Sequence, residues 1–134
     1  MNPIIRNILA VITGIFVGGA VNMGIIMISG SIIPLPEGVD NTTMEGLQES
    51  IHLFKPINFL MPFLAHALGT IVGALVAGYM AVTKKKAFAM AIGVFFLIGG
   101  ISNVFLIPAP VWFNVVDLAL AYVPMAWIAG RITS

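Results

Sequence analysis

Two side chains, His66 and Asp117, stand inside long apolar runs, where an ionisable group is expensive to place. An imidazole, with a reference pKa near 6.5, changes charge between about pH 5 and 8, and a carboxylate is a natural acceptor for its N–H. Counting about 1.5 Å per helical residue from hydrophilic boundaries at Asn58 and Pro110 puts His66 roughly 12 Å and Asp117 roughly 10 Å below one interface. The two fall at similar depth. Asn103, just before the turn at Pro108, sits a little shallower, and Asn22 deeper. We read His66, Asp117, Asn22 and Asn103 as a polar, proton-responsive cluster, with Asp117 accepting from His66 and the amides completing the shell. Three roles suit such a cluster. It can be glue between helices, at about 0.6 kcal/mol per hydrogen bond, or a site that passes protons or binds cations. Met23, Met27 and Met61 beside His66 would also offer soft ligands to Cu(I). Glue is the simplest of the three; the functional reading taken forward is the second role, with no metal and no cofactor.

Composition dictates the elements that must carry these residues. The chain has 134 residues, 60% hydrophobic and 8% charged, with a mean hydropathy of +1.09, whereas soluble domains carry about 25% charged residues. Too few charges exist to cover a water-exposed surface. Apolar runs of about 20 residues, each able to cross a hydrocarbon core about 30 Å thick, recur along the chain. They predict four spans, at about 8–33, 59–83, 87–107 and 114–132, in a single domain. The first is too long for the apolar region of a signal peptide, although Ser29-Gly30-Ser31 imitates a cleavage site. The expected fold is an all-α antiparallel four-helix transmembrane bundle.

Residues 34–58 form the one sizeable hydrophilic segment and hold Glu37, Asp40, Glu45 and Glu49. Thr42 followed by Glu45 has the form of a capping box, so a short helix over 43–54 is expected, with Met44, Leu47, Ile51 and Phe54 along its apolar side. Arg6, Lys84, Lys85, Lys86 and Arg131 fall on one side of the spans and Lys55 alone on the other. The positive-inside rule then makes both termini cytoplasmic and the acidic segment external. The expected location is a bacterial inner membrane.

Small residues predict the helix contacts. Pro62, His66, Gly69, Thr70, Gly73 and Ala77 share one stripe of the second span, opposite apolar surface that includes Phe59, Leu60 and Leu68. Gly14 and Gly18 allow close approach on the first span, and with Gly69, Gly73, Ala77 and Gly78 they form the expected packing set. Gly18-Gly19-Ala20-Val21-Asn22 resembles Gly99-Gly100-Ile101-Ser102-Asn103, and Ala74, Ala77 and Gly78 align with Ala126, Ala129 and Gly130. These matches allow two tandem hairpins related by an internal repeat. Pro124 should free the Leu120 carbonyl and kink the fourth span.

Several function classes fall away. Cysteine is absent, which removes disulfides and thiolate chemistry. No HExxH, GxSxG or Walker loop occurs, so an enzyme is not expected. The net charge of +1 gives no basis for nucleic-acid binding, and His52, in the hydrophilic segment, reads as a solvated loop residue. The expected partners are the lipid bilayer and either further copies of the chain or other membrane subunits. The expected function is a small transporter or channel-type protein; the alternative is a non-catalytic accessory or scaffold subunit.

Overall fold

Asn2 and Pro3 start the first helix by satisfying or removing its free N-terminal donors: the Asn2 side chain accepts from the Ile4 N–H at 2.8 Å, and Pro3 has no N–H to lose. The computed structural model describes residues 2–134. Its helices are α1 (Pro3–Ile32), α2 (Met44–Ser50), α3 (Leu60–Met80), α4 (Lys85–Leu106), α5 (Val111–Leu120) and α6 (Val123–Thr133). Among the described residues, α1, α3 with the 3-10 turn before it, α4, and α5 with α6 make four segments long and apolar enough to cross a membrane. They pack antiparallel, α3 against α1, α4 and α6, and α4 against α6. The chain is an integral membrane protein whose outward faces meet lipid.

The α1–α3 crossing rests on reciprocal glycines. A Cβ built on Gly14 would stand 2.7 Å from the Gly73 carbonyl oxygen, and one on Gly73 would stand 2.6 Å from that of Gly14. Gly18 and Gly69 repeat the arrangement one turn along, at 2.7 and 2.8 Å. Only hydrogen in place of a side chain lets each backbone sit on its partner, where van der Waals packing drives association. Gly78 meets the Thr133 side chain, and Gly93 of α4 faces Ala126 of α6. Ala74, Ala77, Ala89, Ile92, Ala126 and Ala129 fill the centre of this half of the bundle and leave no surface exposed. The repeat-matched positions Ala74, Ala77, Gly78, Ala126, Ala129 and Gly130 are all buried.

The cationic end has its own logic. The last carbonyls of α3 lack helical partners, and Lys85 fills the gap: its ammonium donates to the Gly78, Tyr79 and Ala81 carbonyls at 3.0, 3.3 and 2.6 Å. Arg6 Nε donates to the Met80 carbonyl at 3.0 Å. Both charges also complement the negative end of the α3 dipole. Asn7 clamps the following turn, donating to Thr83 Oγ1 at 2.8 Å and accepting from the Val82 N–H at 2.9 Å. Replacing Asn7 by Leu is expected to lower stability by about 1–3 kcal/mol, because a buried polar clamp is lost and backbone groups are stranded. A thermal unfolding midpoint in detergent that matches the parent protein would refute that role.

The structure revises several expectations at the other end. The short helix begins at Met44 with Thr43 as its cap, its hydroxyl accepting from the Gly46 N–H at 2.9 Å. Thr42 turns back onto Asp40, so the expected capping box at Thr42 and Glu45 does not form: Thr43 caps the helix, and the residue three further on, Gly46, has no side chain to complete a box. Those hydrogen bonds from Thr42 hold the Asp40 carboxyl below its ordinary range. The helix passes into a 3-10 turn at Ile51–Leu53, and Leu47, Ile51 and Phe54 plug onto Phe59, Phe63 and Phe113. Phe59 is therefore 4% exposed, not outward surface as its place away from the small-residue stripe suggested. Its ring lies 4.7 Å from Phe113 and 5.5 Å from Trp112. The fourth span also differs from a kinked helix over 114–132. It starts at Val111 and is broken outright at Ala121–Tyr122, two residues before Pro124.

Candidate functional site

That break builds the site. Pro124 supplies no N–H to the preceding turn, so α5 ends at Leu120 and the chain bends at Tyr122 before α6 resumes. In an unbroken helix, side chains five positions apart point in different directions. Here the bend turns the Tyr122 hydroxyl back to donate to Asp117 Oδ2 at 3.1 Å. Gly100 of α4 makes room for the ring, since a Cβ there would stand 2.7 Å from the Tyr122 Oη.

His66 approaches Asp117 from α3. Its Nδ1 lies 2.7 Å from Asp117 Oδ1, with side-chain exposures of 18% and 7%. The imidazole lies over the Tyr122 ring, with centroids 5.8 Å apart and planes 25° apart. One turn along, the Thr70 hydroxyl donates to the His66 carbonyl at 2.7 Å, which secures the backbone that carries the imidazole. An ionised carboxylate can only accept, so whenever Asp117 is ionised Nδ1 carries the proton in the pair. His66 and Asp117 are the only imidazole and the only carboxylate within the four described spans, and no lysine or arginine joins them.

Two cavities meet at this pair. The outer one, about 200 Å³, lies beneath the hydrophilic segment between Leu47, Ile51, Phe54 and Ile107, and reaches His66, Asn103 and Asp117. The inner one, about 240 Å³, is bordered by Asn22, His66, Thr70, Phe96, Asn103 and Tyr122, with Gly18, Gly69, Gly99 and Gly100 as its thin walls. His66, Gly100 and Asn103 border both. Below the inner cavity the Gly14–Gly73 crossing, Ile92 and the alanine core close the bundle.

The four residues singled out in the sequence thus surround one place, although they differ in engagement. His66 and Asp117 are bonded to each other. Asn22 and Asn103 line the inner cavity without bonding to either, and Asn22 Oδ1 is buried with no hydrogen-bond partner. Asn103 borders both cavities, and Asn22 the inner one alone. Sequence reasoning missed Tyr122, the third member of the hydrogen-bonded set. The signal for it is Pro124, which sets a helix break close enough to Asp117 for a tyrosine to turn back. It also missed Asn58, which accepts from the Lys55 N–H at 2.8 Å and donates to the Pro34 carbonyl at 3.3 Å, tying the hydrophilic segment to the mouth. No group of three or more His, Cys, Asp or Glu able to hold a metal ion occurs among the described residues. Met61 and His66 border the outer cavity, but Met23 and Met27 face outward, away from His66, so the soft-ligand set is not assembled.

No protein-family model, curated protein or solved structure gives a match to this chain.

Proposed function

We propose that the chain is a small transport protein in which the His66–Asp117 pair is the proton-responsive element of a binding site reached from the acidic-loop end. The single observation behind this reading is the meeting of the two cavities at His66. A pair that served only as interhelical glue would be expected in close packing, whereas this one borders open space on two sides. Both cavities lie in the loop-side half of the bundle, and Ile92 with the alanine core fills the other half. That is the shape expected of one state of an alternating-access carrier. With Arg6, Lys84, Lys85, Lys86 and Arg131 at the filled end, the half that holds the cavities faces away from the cytoplasm in this reading.

The test uses purified protein in vesicles loaded with a pH-sensitive dye. Addition of candidate cations outside is expected to change internal pH at a protein-dependent rate. His66→Leu/Asp117→Leu is expected to lower that rate at least about tenfold, as is usual when the proton-carrying group of a relay is removed. Equal rates for the parent and the double variant would remove the pair from any transport role.

One observation favours the accessory-subunit reading as well. Helix α1 packs chiefly against α3 and leaves Phe16, Met23, Met27 and Ile28 exposed, a face that suits either lipid or a neighbouring membrane helix. In that case the double variant changes assembly with other membrane proteins and leaves flux untouched.

A further inference from the structure

The inner cavity has a chemical preference that follows from which protons are already committed. With Asp117 ionised, a neutral His66 must hold its proton on Nδ1, 2.7 Å from the carboxylate, which leaves a lone pair on Nε2. No protein group hydrogen-bonds to Nε2 among the described residues, and the ring borders both cavities. Asp117 is meanwhile a carboxylate with two neutral donors, His66 and Tyr122. One negative charge is then uncompensated at membrane depth, which costs several kcal/mol. Short of protonating Asp117 itself, either of two species cancels it: a second proton on His66, or a cation in the adjoining cavity. Both would use the same Nε2 lone pair.

The lining narrows the cation. A hard metal ion takes six or more oxygen ligands at once, and the cavity offers no carboxylate cluster. It does offer the Asn22 and Asn103 amides, the aromatic rings of Phe96 and Tyr122, and an imidazole nitrogen. The buried Asn22 Oδ1 lacks a donor. Amide oxygens and an imidazole lone pair accept N–H bonds, and aromatic faces attract a compact organic cation. The two cavities, about 200 and 240 Å³, leave ample room for an ammonium group with a short alkyl tail.

We propose that the inner cavity binds a small primary ammonium cation, of ammonium or methylammonium size, with one N–H on His66 Nε2, in one-for-one exchange with a proton. The proposal rests on the proton-responsive reading of the His66–Asp117 pair. The exchange balances: one ammonium cation enters and one proton leaves His66 for the outer cavity, so the charge of the site is unchanged. The titratable groups facing His66 are Asp117 on α5 and Tyr122 at the α5–α6 break. Helices α1 and α4 present only the neutral amides of Asn22 and Asn103.

The experiment is ¹⁵N NMR of the His66 ring in the full chain in nanodiscs, with methylammonium chloride titrated at several pH values and sodium chloride matching ionic strength. Methylammonium is expected to lower the imidazolium fraction at fixed pH. Its apparent Kd should be flat above the pH at which His66 takes up its second proton and, well below that pH, rise about tenfold for each further unit of falling pH, as mutual exclusion of two ligands requires. Tetramethylammonium, which has no N–H, should leave the ring unchanged, and Asp117→Asn should abolish the methylammonium response. Equal responses to methylammonium and tetramethylammonium, or none to either while the ring still titrates differently in parent and Asp117→Asn, would overturn the cation and leave the proton site standing. A ring indifferent to both Asp117→Asn and methylammonium would overturn both readings. If Asp117→Asn does not fold, the comparison of the two amines in the parent protein still decides.

Discussion

Gly73→Leu is expected to break the bundle, and Gly24→Leu to leave it unchanged. The two substitutions add the same apolar side chain to a membrane helix, so propensity and hydropathy change alike. Space differs. A Cβ on Gly73 would stand 2.6 Å from the Gly14 carbonyl oxygen and 3.2 Å from the Gly18 Cα, both rigid backbone, whereas nothing lies within 4 Å of a Cβ on Gly24. Overpacking costs about 1–3 kcal/mol when side chains can move aside. Here α1 as a whole must move, and with it the wall of the inner cavity formed by Gly18 and Asn22. A loss of about 3 kcal/mol or more is expected, read as a lower unfolding midpoint in mixed detergent. Equal midpoints for the two variants would mean that α1 does not cross α3 at these glycines.

The second large effect concerns charge. His66→Leu leaves Asp117 with the Tyr122 hydroxyl as its one remaining partner, in a setting with no lysine or arginine to replace the imidazole. Removing one member of a buried pair costs about 3–5 kcal/mol, because the other is stranded, while replacing both by apolar groups of similar size is often neutral or stabilising. His66→Leu is therefore expected to destabilise the protein by several kcal/mol and His66→Leu/Asp117→Leu by much less. The sign of that difference separates a coupled pair from two independent polar residues, whose losses would add. A double variant at least as unstable as the sum of the single ones would rule out the coupling. Stability and transport then part ways: the double variant regains its fold and loses the proton-responsive element.

What was legible in the sequence is what one-dimensional patterning controls. Four apolar runs of spanning length fix the membrane class, because no other structure satisfies the backbone in lipid. Glycines at four-residue spacing mark the faces that approach most closely, since a missing side chain is visible without coordinates. The depths of His66 and Asp117 followed from counting residues at a known rise, and this was enough to put them at one level of the bundle.

Tertiary structure decided the rest. Whether His66 and Asp117 touch depends on how α3 and α5 are rotated about their axes, which packing against α4 and α6 determines and local pattern does not. Tyr122 joins them only because the chain breaks at Ala121–Tyr122, and a proline's sequence position says that a helix is interrupted without saying where the freed residues will point. Phe59 turned inward because the hydrophobic side of the acidic segment folds over it, a long-range contact that outweighs its place away from the small-residue stripe. The two cavities are likewise a product of assembly. They exist where the small walls of three helices fail to fill the space around one imidazole, and their volume belongs to no single residue.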